Sequence, residues 1–451
     1  MSTDRSQQFL ASLRQIHQPP QAQRRLKGAT HPGMLVFGGL LALLGVAGLV
    51  SARVEPSDPS SPESSVQQLQ KERTLLSARI EGQSPEARLM RGLQLLAKGE
   101  EDQAFEAFAS LVQQQPDFAL AQLIYADLLM ARSGHMVSQI GSAAPLPSEH
   151  HVSLMQLRLE ARQRLTALIA PPDPNTLPKV LAGLPAATRH AIVVDTSRSR
   201  LFVFENSAQG PKLIDDSYIA IGKAGTGKLL EGDFRTPLGV YFVGMPRQEA
   251  FERYGVATLP LNYPNELDRQ VGRGGTSIWL HGERLGSYSR TPQSTDGCVV
   301  LPNDEMAKLA KTVLPRETPV FVLDHVEWVD RAKAKPELAP AFLTAFRGWQ
   351  QAKLRQDGQA LLQYYEAGLD RGSDSEASRL TANVQRMQRG ELPVQNVEAT
   401  SMLPWAEAGQ PQSVIVTYHE FTPDSAQPKL KRQYWRERGG QWRLFFDGAV
   451  G

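Results

Sequence analysis

The chain has 451 residues, enough for about three domains at roughly 100–200 residues each. Hydrophobic residues make up 41% and charged residues 21%, which excludes a wholly disordered chain or a many-spanning membrane protein. Forty-nine Lys and Arg against 47 Asp and Glu leave a net charge of +2, so no nucleic-acid partner is expected. The single cysteine excludes an internal disulfide framework and any multi-Cys zinc or iron–sulfur site.

The first 30 residues hold five basic side chains (Arg5, Arg14, Arg24, Arg25, Lys27) and one acidic one, Asp4. Gly33 to Ala52 then runs without a charge. A helix of that length spans about 30 Å, the thickness of a bilayer core. The positive-inside rule keeps the basic tail, 1–32, in the cytoplasm and sends the rest outside. The expectation is a single-pass anchor at 33–52 in the cell inner membrane with the remaining domains in the periplasm. A cleaved signal peptide is the alternative, since Ala42, Ala47 and Ala52 are small residues near a cleavage site.

A Pro/Ser-rich spacer, Val54 to Ser65, separates this segment from a helical one over 66–135. There Gly92, Ala104, Phe108 and Pro116 fall at tetratricopeptide spacing: small residues where helices cross, an aromatic in the gap, a helix-ending proline. A helix from Phe118 to Met130 starts a second repeat that does not continue. One and a half repeats make no solenoid alone, so the unit either docks a protein partner or packs on its neighbour. Residues 136–188, rich in proline and alanine, read as a linker with a short helix.

From Ala191 the period switches to that of strands. AIVVD, the turn TSRSR and LFVFE form a hairpin, and short strands follow at 214–222, 239–244, 277–282 and 319–324. A helix is expected over Asn303 to Val313, with Asn303 as its cap. GKAGTGK, from Gly222 to Lys228, matches a phosphate-binding loop, but Leu229 stands where a magnesium-binding Ser or Thr is needed. No helix is expected after it, so it reads as a Gly-rich loop.

The chemistry of this mostly-β stretch, 186–330, centres on Cys298 in QSTDGCVVLPN and on His281, 17 residues upstream at the end of SIWL. A thiol is mostly protonated at neutral pH and needs a base or cation beside it. A histidine closing a neighbouring strand supplies one. Gly297 before the cysteine allows a backbone bend and close approach of substrate, and its amide and that of Cys298 are candidate oxyanion donors. An imidazolium at this position would depress the thiol pKa by several units. As alternatives, Cys298 is a small core residue and His281 a core histidine bound to a carbonyl.

At these residues the chain resembles the L,D-transpeptidase catalytic domain of the YkuD type. The elements are His281-Gly282, Thr295-Asp296-Gly297-Cys298 and GDFRTPLGVY, Gly232 to Tyr241. NYPNELDR, Asn262 to Arg269, is similar to the branch with an extra C-terminal domain. The resemblance implies cysteine-dependent acyl transfer on peptidoglycan tetrapeptide stems, with no cofactor and no metal. It implies a catalytic set of Cys298, His281, Gly282 and Gly297 and substrate contacts at Tyr263, Arg290, Thr295 and Asp296. The family's usual His before Gly-Cys and Arg two residues after Cys are here Asp296 and Val300; Arg284 or Arg290 could replace that arginine. An L,D-carboxypeptidase using the same site, or a non-catalytic wall-binding scaffold, are the alternatives.

In the C-terminal unit, 338–451, a helix is expected over Leu343 to Glu366 and strands over 414–421, 431–438 and 441–448, the last two joined at Gly439-Gly440. This pattern resembles the nuclear-transport-factor-like cone. Trp349, Tyr364, Tyr365, Tyr418, Trp435 and Trp442 either line a pocket or form plain core. The expected fold class is α+β multidomain: a transmembrane helix, a small α-helical segment, a mostly-β catalytic domain and an α+β cone.

Overall fold

The computed structural model describes residues 84–134, 151–366 and 382–450, apart from 248, 250, 285, 289, 336, 337, 383, 388 and 392. The expected anchor at 33–52 lies outside the described residues. Among the described residues, no helix is long and apolar enough to cross a membrane.

Three helices of equal length open the described chain: α1 (Pro85–Lys98), α2 (Glu101–Gln114) and α3 (Ala119–Arg132). Ser84 caps α1 by accepting from the Ala87 amide at 3.0 Å, and Gly99 ends it in the left-handed conformation that glycine adopts without strain. Gly92 is where α1 and α2 cross. A Cβ there would lie 2.7 Å from the Phe108 ring, so the aromatic fills the space the glycine leaves. Gly92→Val is therefore expected to destabilise the unit by about 1–3 kcal/mol through overpacking, read as a lower midpoint in urea unfolding.

The stretch after 150 differs from the expected linker. It carries α4 (His151–Ile169), a 19-residue helix whose Ala161 and Leu165 join Leu89, Leu93, Phe108, Phe118 and Ile124 in one apolar core. Arginine and glutamine spread around α4 hide its period in the sequence. The helical unit packs on the next domain: Ser84 also donates to Asp304 at 2.7 Å.

The strands that follow are β1 (Thr176–Pro178), β2 (His190–Asp195), β3 (Arg200–Ser207), β4 (Gly210–Tyr218), β5 (Ile221–Gly222) and β6 (Gly239–Phe242). Then come α5 (Phe251–Tyr254), β7 (Thr258–Pro260), α6 (Glu266–Gln270), β8 (Trp279–His281), β9 (Gln293–Thr295), β10 (Val299–Val300), α7 (Asn303–Thr312), β11 (Pro319–Leu323) and β12 (Trp328–Asp330). The main sheet has the order β4-β3-β2-β11-β6, with β11 parallel to β2 and the other pairs antiparallel.

Its strands are apolar on both faces, and strict alternation sorts the two sets. Ile192, Val194, Leu201, Val203, Val320 and Val322 face one core, shared with Leu280, Val299, Leu301 and Met306. Ala191, Val193, Phe202, Phe204 and Phe321 face a second core. Two small sheets flank the first core: β10-β8-β7 and β5-β9.

The second core is closed by the C-terminal unit, which consists of α8 (Pro340–Leu354), α9 (Gly358–Leu362), β13 (Asn396–Trp405), β14 (Ser413–Phe421), β15 (Lys429–Arg438) and β16 (Gln441–Ala449). The expected single helix over 343–366 is broken: Gln356 has φ +56°, and Asp357 caps α9 by accepting from the Ala360 amide at 2.9 Å. The four strands form an antiparallel meander in chain order. Leu403, Ile415, Tyr434 and Phe445 point at the catalytic sheet, while Val414, Val416, Tyr418, Trp435 and Leu444 pack under α8. Trp349, Trp435 and Tyr418 are fully buried and Trp442 nearly so, which makes these aromatics core.

Candidate active site

Strand register places Cys298 and His281 on one face. β10 runs parallel to β8, with Val299 opposite Leu280 and Val300 opposite His281. One step back, Cys298 stands beside Trp279. Leu280, Val299, Ile278 and Leu301 are in the first core, so alternation puts Trp279, His281 and Cys298 together on the other face.

His281 is buried, and its Nδ1 lies 2.7 Å from the Gly282 carbonyl. A carbonyl only accepts, so Nδ1 carries the proton and Nε2 keeps its lone pair. The Tyr254 ring meets the imidazole edge-on, 5.2 Å between centroids at 88°. Burial holds the imidazole pKa down to about 4, helped by the cations Arg290 and Arg253 and opposed by the backbone carbonyls of Gly282 and Tyr254. Asn303 is not the helix cap expected from sequence; Pro302 holds that place. The Asn303 amide instead donates to the Glu283 carbonyl at 3.0 Å and its oxygen accepts from the Val256 amide at 3.1 Å, bracing the turn after His281. A Cβ on Gly282 would collide with that oxygen, so this position requires glycine.

Cys298 is half-buried, and its thiol donates to the Ser277 carbonyl at 3.4 Å. Burial pushes the thiol pKa up; the Trp279 amide, Arg290 and Lys228 pull the other way, and Asp296 adds to the rise. Both shifts favour the uncharged forms, thiol and imidazole. That differs from the depressed thiol expected from an imidazolium pair, because both groups are desolvated and each favours its uncharged form.

Gly297 has φ +129°, and a Cβ there would lie 2.8 Å from the Arg235 carbonyl. Its amide donates to the Thr295 hydroxyl at 3.0 Å. This corrects the expectation that Gly297 offers an oxyanion donor: that N–H is taken by the turn, and the Cys298 amide is the remaining candidate of the two. Thr295 is buried, and its hydroxyl also donates to the Cys298 carbonyl at 2.7 Å, so it shapes the loop rather than touching substrate. Tyr263 is likewise core, its hydroxyl donating to the Gly274 carbonyl at 2.7 Å. Asp296 is exposed and pairs with Lys223 at 2.9 Å. Arg284 is exposed; Arg290 is half-buried, within electrostatic reach of Cys298.

Thr236, within GDFRTPLGVY, braces the cysteine turn, a task its residue type alone does not announce. Its fully buried hydroxyl donates to the Gly297 carbonyl and accepts from the Gly222 amide, both at 2.9 Å. Thr236→Val should leave two buried groups unpaired, at about 1–3 kcal/mol, and loosen the cysteine turn. Denaturant unfolding and the rate of thiol labelling check this. Lys228, the lysine of the phosphate-loop pattern, is buried against Asp233 at 2.8 Å and is not free for a phosphate. Burial alone would raise the Asp233 carboxyl, but Lys228 and three backbone amides hold it well below the ordinary carboxylate range. Among the described residues no group of three or more His, Cys, Asp or Glu is arranged to hold a metal ion.

A half-buried thiol and an oriented imidazole on one face are groups that nucleophilic catalysis can use. Residues 189–322, which contain it, match the YkuD family, the L,D-transpeptidase catalytic domain. The chain thus carries an L,D-transpeptidase-type domain, and residues 338–451 lie outside the match. The sequence matches none of the curated proteins with which it was compared. Among solved structures, Bd1075 of Bdellovibrio bacteriovorus is 24% identical, with a TM-score of 0.46, over 61% of this chain and 98% of that one. The helical cell shape determining protein Pgp2 of Campylobacter jejuni is 19% identical, with a TM-score of 0.43, over 57% of this chain and 91% of that one. An L,D-transpeptidase from Mycobacterium smegmatis is 12% identical, with a TM-score of 0.21, over 30% and 58%.

Proposed function

We propose that the protein is a cysteine acyltransferase acting on peptidoglycan tetrapeptide stems. The observation that carries this reading is the Nδ1–Gly282 hydrogen bond, which leaves His281 Nε2 as a base on the face that holds Cys298, inside the matched domain. The Cys298 S–H turns from the Ser277 carbonyl to Nε2, and sulfur attacks the carbonyl of the third stem residue as its proton passes to the imidazole. The tetrahedral oxyanion accepts from the Cys298 amide. Collapse breaks the amide bond: the imidazolium returns its proton to the leaving amine, D-alanine departs, and a thioester remains on Cys298. An amine acceptor then gives a cross-link, or water gives a shortened stem, with free thiol restored.

Mass spectrometry of stem peptides incubated with protein lacking residues 1–53 tests this. A cross-linked dimer marks a transpeptidase, and a tripeptide without dimer marks an L,D-carboxypeptidase. Unchanged peptides with no adduct on Cys298 leave the wall-binding scaffold. We also propose that residues 33–52 tether the catalytic domain to the inner membrane on its periplasmic side. Recovery of full-length chains in the soluble fraction with an N-terminus near residue 50 would replace the tether with a cleaved signal.

A further inference from the structure

The helical unit and the catalytic domain meet at a buried ionic cluster that the reaction above does not use. Arg164 of α4 is fully buried. It pairs with Glu160 at 3.0 Å and with Glu86 of α1. Its guanidinium lies 4.0 Å from the centre of the Tyr218 ring, at the end of β4. The Tyr218 hydroxyl in turn donates to the Arg290 carbonyl at 2.7 Å. Two residues earlier, Tyr288 packs into the core of the helical unit, its ring 5.6 Å from that of Phe118. The segment linking His281 to the cysteine turn is therefore gripped at Tyr288 by the helical core and at Arg290 by Tyr218, on whose ring Arg164 of α4 lies.

The Arg290 side chain has a buried Nε with no hydrogen-bond partner, and its charge is felt most at Glu283 and then at Cys298 and Asp296. A desolvated guanidinium with an idle donor is poised for an anion, and its fork matches a carboxylate. We infer that the helical unit is part of the catalytic apparatus. Arg164 is a positioning residue that, through the Tyr218 ring and hydroxyl, fixes the backbone at Arg290 so that its side chain receives the terminal carboxylate of the stem. This rests on the stem-peptide reading. If the cluster only glues helices to the sheet, weakening it would change stability and nothing at the site.

Two variants probe the relay with little disturbance. Tyr218→Phe deletes one hydroxyl, and Arg164→Lys keeps a cation for Glu86 and Glu160 while losing the flat stack. In each, KM for a tetrapeptide stem is expected to rise about 3–10-fold with kcat changed less than about twofold. Adding Tyr218→Phe to Arg290→Gln should cost nothing further, because both act through one group. A folded Tyr218→Phe protein with unchanged KM, or losses that add to those of Arg290→Gln, would overturn the inference. If Arg164→Lys does not fold, Tyr218→Phe decides.

Iodoacetamide labelling of Cys298 gives a readout without substrate. Arg290 and Lys228 favour the thiolate and Asp296 opposes it, so displacing Arg290 should move the labelling profile to higher pH. If the wild type turns over no stem peptide, the stem reading fails while labelling still judges the relay. Equal, non-additive shifts in Tyr218→Phe and Arg290→Gln support it, and an unchanged profile in Tyr218→Phe overturns it.

Discussion

His281→Gln is expected to slow acyl transfer about 10²–10⁴-fold while leaving the fold intact. The imidazole is the only base that β8 brings to the face of Cys298, and glutamine can donate to the Gly282 carbonyl without accepting the thiol proton. Combining it with Cys298→Ala should cost little beyond the cysteine change alone, since the two act as one unit. A second consequence is thermodynamic. The folded imidazole titrates at about 4, below the ordinary value of 6.5. Between those values the unfolded chain binds more protons than the folded one, so stability falls as pH drops through this window, by about 3 kcal/mol at the acid end. His281→Gln should remove that part of the acid slope. Urea unfolding at a series of pH values checks the sign; a slope unchanged by the substitution would mean that His281 is not desolvated.

Cys298→Ala should abolish turnover and all covalent labelling, because no other thiol exists in the chain. A carbapenem-type β-lactam should add its mass to the wild type once and to Cys298→Ala not at all. The labelling rate of the wild type should climb about tenfold per pH unit through neutrality, without a plateau, since burial pushes the thiol above its ordinary value. A plateau below pH 7 would mean a resting thiolate–imidazolium pair and would contradict the desolvated site. Under the proposed function, reactivity toward a stem peptide comes from proton transfer during attack rather than from a standing thiolate.

The strands of the main sheet were legible because AIVVD, LFVFE and PVFVL combine β-branched and aromatic residues with sharp ends. Helix α8 was legible from its apolar period. β13 was not: Asn396–Trp405 includes Glu398, Ser401 and Pro404, and its strand state depends on pairing with β14. The Cys298–His281 pair was legible as two residue types near glycines, and register alone unites them. Tyr263, Thr295 and the Gly297 amide each make a hydrogen bond within the fold that the motif did not reveal. A motif shows which residues belong to a loop but not which of them the loop consumes in holding its own shape. Arg164, Glu160 and Tyr218 carried no signal, because their meeting requires two domains to be folded together.

The apolar layer shared by the two sheets also sets a schedule for synthesis. The catalytic sheet is complete in sequence once Leu323 has emerged, yet the face carrying Ala191, Val193, Phe202, Phe204 and Phe321 is covered only in part, by Leu177, Leu181, Val326 and Trp328, until Leu403, Ile415, Tyr434 and Phe445 follow. At about 5–20 residues per second that interval is on the order of ten seconds. For this time the newborn chain displays the remainder of that apolar layer, a surface open to wrong partners until the last four strands arrive.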